Sequence, residues 1–224
     1  TAFHISEAGL RLRYAYGETF FKTPRGNRFS LGTRFPVVCL NIARGGQAWY
    51  GEFRYWRTEM KLTKVFKTKS FGASRVAVIG GLVNGDAPYS RLYAPMASYK
   101  SFTVESEQSF GTMRLNEFTS DRFVGLFFKQ DFGKLLFKPR GKFQPEIALV
   151  HNLGFGTLKA ASAHRNIDIR TFGKGYFEGG LLINNLFRIQ LFRYGIGVMY
   201  RYGPYAYPKT IDNFAFKMTL QLSM

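Results

Sequence analysis

Asp212-Asn213-Phe214-Ala215-Phe216-Lys217-Met218-Thr219-Leu220-Gln221-Leu222-Ser223-Met224 alternates almost without fault. Phe214, Phe216, Met218, Leu220 and Leu222 share one parity; Ala215, Lys217, Thr219, Gln221 and Ser223 share the other. Side chains of a strand point to opposite faces with period two, so the segment predicts one apolar face and one small or polar face. A strand that crosses a membrane inside a barrel needs about 9–11 residues of this pattern. The fold therefore turns on whether the upstream chain repeats it.

It does. Phe192–Tyr202 sets Tyr194, Ile196, Val198, Tyr200 and Tyr202 against Arg193, Gly195, Gly197, Met199 and Arg201. Ser6–Tyr16 sets Ala8, Leu10, Leu12, Tyr14 and Tyr16 against Gly9, Arg11, Arg13 and Ala15. Further strands are expected over Phe29–Ala43, Trp49–Phe66, Phe71–Val83, Arg122–Phe132, Phe143–Phe155 and Tyr176–Asn185. Pro36 falls inside the first of these and must occupy a bulge or an unpaired position. Lys22-Thr-Pro-Arg-Gly-Asn27 and Lys134–Lys142 read as turns. Thr157–Thr171 is polar and loop-like. Tyr89–Thr119 lacks a clear period and fits one or two strands or a folded loop.

About ten strand candidates and no convincing helix result. Their spacing of roughly 20 residues exceeds the 8–12 of a soluble sandwich. The chain of 224 residues is expected to form one all-β domain over residues 1–224, an antiparallel transmembrane β-barrel. Starting at Thr1 without an initiator Met, it is expected to be a piece of a longer precursor, and with about ten strands the C-terminal part of a larger barrel. The apolar share of 46% suffices for a core, while the longest apolar run, Val76–Val83, is far below the roughly 18 residues of a membrane helix. Aromatics reach 17%, with 24 Phe and 13 Tyr, the composition of strands and interfacial girdles.

The net charge of +18 raises nucleic acid as a partner. The basic and aromatic residues usually take opposite strand faces, so no nucleic-acid partner is expected. Arg11, Arg13, Arg193, Arg201 and Lys217 all oppose apolar faces. A lipid-facing cation near the bilayer midplane costs about 2–4 kcal/mol, and several would consume a stability of order 5–15 kcal/mol. These five are expected to line a cationic lumen, and Phe214, Phe216, Met218, Leu220 and Leu222 to face lipid. The neighbouring Gly9, Gly195, Gly197 and Ala215 leave room for long side chains. Loop cations beside a bilayer would meet lipid phosphates.

Catalytic patterns are not evident. The single Cys39 excludes a disulfide within the chain and a cysteine-based zinc site. His4, His151 and His164 have no partner at metal-ligand spacing, and His151 reads as a structural hydrogen-bonding residue. Ser106 and Ser109 have no evident base. Glu105, Glu107, Glu117 and Asp121 read as counter-charges for arginines. No enzyme activity, cofactor, catalytic residue or metal is expected.

Four segments carry a family resemblance: Arg28–Val37, Phe118–Val124, Lys174–Leu186 and Tyr194–Pro204. Together they resemble the C-terminal barrel of a Bacteroidota outer-membrane family with an N-terminal carboxypeptidase-regulatory-like domain. That barrel is distantly similar to the surface-antigen barrels of outer-membrane assembly factors and two-partner secretion transporters. Those assembly barrels fold an Arg-Gly-Phe loop into the lumen; the nearest segment here is Arg170-Thr171-Phe172-Gly173, and the chain ends on Met224 rather than an aromatic. The resemblance implies an integral protein of the bacterial outer membrane that serves envelope biogenesis, assembly or transport. Its expected partners are outer-membrane lipid or lipopolysaccharide and other envelope proteins of a complex. A passive anion-preferring pore and a scaffold barrel remain the alternatives.

Overall fold

The computed structural model describes residues 3–24, 26–47, 50–68, 71–99, 102–133, 143–159, 169–190 and 192–222, the last without its side chain. Twelve strands are formed among them: β1 (Glu7–Ala15), β2 (Thr19–Lys22), β3 (Arg28–Gly32), β4 (Val37–Gly45), β5 (Tyr55–Thr68), β6 (Gly72–Gly85), β7 (Phe102–Val104), β8 (Arg122–Asp131), β9 (Glu146–Thr157), β10 (Tyr176–Ile189), β11 (Phe192–Tyr202) and β12 (Phe214–Leu222). Ten of them build one sheet in the order β1-β4-β5-β6-β8-β9-β10-β11-β12-β7. All neighbours are antiparallel except β7, which lies parallel to β12 over three residues. Among the described residues no pairing joins β1 to β7 or β12, so the sheet is open. β2 and β3 form a separate hairpin in the connection from β1 to β4.

The alternation places these elements, and the breakers bound them. β11 and β12 coincide with their sequence patterns. The stretch expected as one strand over Phe29–Ala43 divides into β3 and β4, and Pro36 precedes β4 unpaired, because proline has no N–H for the ladder. Gly72 opens β6 with φ of 79°, where a Cβ would stand 2.1 Å from the Asp131 carbonyl oxygen. β10 runs past its expected end at Asn185. Between Ile183 and Phe187 it advances four residues while β11 advances two, and Asn185 adopts φ of 54° in this bulge. The basic turn Lys134–Lys142 lies outside the described residues, as do His164 and Arg165.

Register divides the sheet into two chemically different faces. One cross-strand row is Tyr14-Val38-Leu62-Val78-Leu126-Leu153-Phe177-Tyr202, apolar throughout. Its neighbour on the other face is Ala15-Val37-Thr63-Ala77-Phe127-Asn152-Glu178-Arg201. The first row starts near the C-terminal end of β1 and ends at the C-terminal residue of β11. Those two ends lie at opposite edges of the strands, so the register drifts along nearly the whole strand length, as it does in tilted barrel strands.

The first face is bare. Leu10, Leu12, Tyr14, Trp56, Met60, Val124, Ile196, Phe216 and Leu220 are all exposed on it. The second face is covered mainly from β6 to β12 by described residues of 86–121, which include the stretch Tyr89–Thr119 without a clear period; Tyr93 also donates to the Thr58 carbonyl of β5 at 2.8 Å and Arg91 lies 3.8 Å from Glu7 of β1. The described residues of this segment form one 3-10 turn at Tyr89–Arg91, β7, and isolated bridges of Tyr93 with Ser120 and of Ala97 with Phe110. Phe110, Met113 and Phe118 from it pack with Ala77, Phe127, Tyr176 and Phe172 in the main core. A second cluster joins Leu92 and Tyr93 to Val83. No helix among the described residues is long and apolar enough to cross a membrane.

Candidate functional site

The site is the polar seam between the covered face and residues 86–121. Strand alternation aims Asn152 (β9), Tyr176 and Glu178 (β10), Arg201 (β11) and Lys217 (β12) at that face, and the segment meets each one.

Glu178 is fully buried. Its carboxylate accepts the backbone N–H of Gly111 at 2.8 Å and of Thr112 at 2.9 Å, the Thr112 hydroxyl at 2.6 Å and the Asn152 amide at 2.7 Å. Thr112 Oγ1, having donated to Glu178, accepts from the Tyr176 hydroxyl at 2.7 Å. A buried charge is tolerated when its lone pairs are filled this way. Gly111 is needed at the contact, since a Cβ there would stand 3.0 Å from the Met199 side chain and 3.2 Å from that of Lys217.

Arg201 is 2% exposed. Its Nη1 lies 2.8 Å from Glu117 Oε1. The guanidinium also stacks over Tyr207 at 4.6 Å, Tyr176 at 4.7 Å and Phe118 at 5.8 Å. Arginine suits this box because its planar, weakly hydrated cation pairs along its edge and stacks on its face. Lys217, 1% exposed, donates to the Ser98 carbonyl at 2.7 Å and to Thr103 Oγ1 at 3.1 Å.

Nearer the C-terminal ends of β8 and β12, Glu105 pairs with Lys129 at 3.2 Å and Glu107 pairs with Arg75. Glu105, Glu107 and Glu117 thus act as counter-charges, as their sequence context predicts. Asp121 instead accepts the Lys159 N–H at 3.0 Å. A cleft of about 40 Å³ remains beside Lys217, Ser109 and Asn152, room for a few waters. Ser109 Oγ bonds the Ser106 carbonyl at 2.9 Å and lies 3.3 Å from Ser98 Oγ. Among the described residues no three His, Cys, Asp or Glu side chains gather around a possible metal position. His151 reaches the Tyr202 hydroxyl at 2.5 Å on the bare face, a structural bond of the kind expected.

All five expected cations share the covered side of the sheet, but at different depths. Arg201 and Lys217 are buried and Arg193 is half-buried 3.8 Å from Glu146, while Arg11 and Arg13 are exposed near the open edge. Arg13 bonds Glu18 there at 2.7 and 2.6 Å. Phe214, Phe216, Met218 and Leu220 take the bare side, as does the backbone position of Leu222. The glycines expected to seat the long cations seat other groups: a Cβ on Gly197 would stand 2.2 Å from Leu182, and one on Gly195 2.4 Å from Thr219 Oγ1, while Gly9 meets only ordinary contacts.

Sequence reasoning missed Glu178, Thr112, Asn152 and Tyr207 as partners. One signal pointed to them: a lone carboxylate at Glu178 among glycines, on the same parity as the cations. Arg170-Thr171-Phe172-Gly173 is not the segment laid across the sheet. Phe172 is buried in the core, and its ring fills the space over Gly156, where a Cβ would come within 2.4 Å.

Comparison of the chain with protein families, with curated proteins and with solved structures found no match.

Proposed function

We propose that this chain is the wall of an outer-membrane β-barrel, with residues 86–121 folded into its lumen, and that it serves envelope biogenesis or transport. The bare face carries the reading. The row from Tyr14 to Tyr202 crosses the sheet obliquely with a tyrosine at each extremity and aliphatic residues through its middle. Aromatic girdles around an aliphatic band are what a bilayer demands of a barrel exterior. A water-soluble sheet would leave a contiguous apolar surface far larger than the few hundred Å² typical of monomers. In this reading the covered face is the lumen, and further strands close the sheet between β1 and β12.

Membrane placement is tested with Phe216→Trp in a background of Trp49→Phe and Trp56→Phe, reconstituted in vesicles. Lipids brominated on their chains should quench it, and unquenched fluorescence rejects a lipid-facing β12. The biogenesis role is tested by depleting the full-length protein; an unchanged outer-membrane proteome and lipid composition rejects it.

An anion-preferring pore is the second reading, favoured by Arg11, Arg13, Arg193, Arg201 and Lys217 on the lumen side. Residues 86–121 oppose it by occupying that side along the seam. Planar-bilayer conductance separates the two. A steady anion current from the intact chain favours the pore, and silence until Glu178 is replaced favours a lumen closed by the segment.

A further inference from the structure

The β2–β3 hairpin has no role in the seam. Every described residue from Thr19 to Leu31 is exposed except Thr23, which is half-buried. Phe20, Phe21, Phe29 and Leu31 present 51 to 62% of their surfaces, and Phe21 lies directly across from Phe29. No other element covers them. Lys22 lies directly across from Arg28, beside the turn. Like charges in cross-strand register repel, and a free hairpin would place a carboxylate at one of them. Among the described residues no carboxylate lies within ion-pair distance of Lys22, Arg28 or Arg34.

The hairpin is nevertheless held in a fixed direction. Glu18, bound by Arg13, also accepts from Ser30 at 2.5 Å. Thr33 Oγ1 donates to the Tyr16 carbonyl at 2.5 Å, and the rings of Tyr16 and Phe35 meet edge to face at 4.8 Å. Lys64 of β5 donates to the Arg34 carbonyl. Its base is therefore tied to the end of β1 and to β5, and the Lys22–Arg28 pair beside the turn forms its tip. Within the hairpin, Phe20, Phe21, Phe29 and Leu31 lie on the base side of the Lys22–Arg28 pair.

That order matches a bilayer surface, where aromatic rings sit at the interface and cations sit farther out at the phosphates. We propose that the β2–β3 hairpin is a docking foot for an anionic phospholipid surface, with Lys22 and Arg28 on lipid phosphates and Phe20, Phe21, Phe29 and Leu31 in the interface. This extends the membrane reading but does not need a closed barrel.

The test places one tryptophan at a time, Phe21→Trp or Phe216→Trp, in the background of Trp49→Phe and Trp56→Phe. The intact chain is reconstituted in phosphatidylcholine vesicles with or without phosphatidylglycerol, each with brominated chains. The foot predicts quenching of the Phe21→Trp probe in anionic vesicles. Replacing Lys22 and Arg28 by Gln should cut the ratio of docked to undocked hairpin about fivefold per cation. The Phe216→Trp signal should not change. A Phe21→Trp probe that stays open to iodide in anionic vesicles, while the Phe216→Trp probe is quenched, overturns the foot and leaves the membrane wall standing; the hairpin then faces solvent or a protein. Equal quenching with and without phosphatidylglycerol overturns the anionic assignment. Quenching at Phe21→Trp alone supports the foot and rejects the wall.

Discussion

β1 and β12 carry the same two-sided pattern, with cations on the same side of one sheet, yet their cations have different surroundings. Lys217 on β12 is 1% exposed and bonded to Ser98 and Thr103. The Arg13 side chain on β1 is 48% exposed and relies on Glu18, a neighbour in sequence. The cause is the reach of residues 86–121, which bury the β12 side of the sheet but meet β1 only at its first residue, where Arg91 lies 3.8 Å from Glu7. Alternation decides which side a residue takes. The covering segment decides whether its charge is solvated or buried, and therefore how much it matters.

Breaking the buried half should cost most. Glu178→Ala strands the Gly111 and Thr112 N–H groups and the Asn152 amide, and should lower unfolding stability by about 3–5 kcal/mol. Glu59→Ala, on the same face of β5 with a single bond to Asn41 at 3.2 Å, should cost under about 1 kcal/mol. Urea unfolding of the two variants, with limited proteolysis of residues 86–121, measures the contrast. Equal midpoints would show that the segment does not set the energetics.

The arginines offer the next comparison. Arg201→Lys keeps the charge but loses the stacked plane between Tyr176 and Tyr207, at about 1.5–3 kcal/mol. Arg13→Lys at the exposed pair should fall within about 1 kcal/mol. A thermal melt of each in the same detergent reads the difference, and parity between them breaks the comparison.

Glycines sharpen it further. Gly197→Val drives a side chain into Leu182 and should cost about 1–3 kcal/mol. Gly9→Val on β1 meets only ordinary contacts, 3.4 Å from the Ile42 carbonyl, and should be neutral or slightly stabilising. A comparable loss at Gly9 would mean that β1 is as enclosed as β11.

The smallest effect is a matter of pH at the exposed end. Hydrogen bonds from Arg13 and then Ser30 pull the Glu18 carboxyl down to about 2 from the usual 4.5. A depressed carboxylate contributes its stability above the unfolded value and loses it as pH falls through the folded one. The tether of the β2–β3 hairpin should therefore be whole at neutral pH, weaken below 4.5 and fail near 2. The emission of a Phe21→Trp probe in detergent reports this, and a transition centred near 4.5 would refute the bond network.

Much of the sheet was legible because period-two alternation needs only local sequence. β8, β11 and β12 stood out, and so did the shared face of Arg11, Arg13, Arg193, Arg201 and Lys217. Acidic residues in the unpatterned stretch were readable as counter-charges, since a chain of this net charge must pair its buried cations. Less was legible where geometry departs from the period. The β10 bulge at Asn185 hid four residues of strand, and Thr33–Pro36 split one expected strand into two.

By itself, then, the sequence determined most of the long strands, their two faces and the side each charge would take, because a strand's side chains alternate whatever lies beyond it. Only the tertiary structure decided that the sheet among these residues is open and that residues 86–121 lie across one half. It also decided that Glu178 finds Gly111 and Thr112, more than sixty positions away in the chain. Those pairings depend on register across ten strands and on the path of an irregular segment, and neither leaves a periodic trace in the residues that make them.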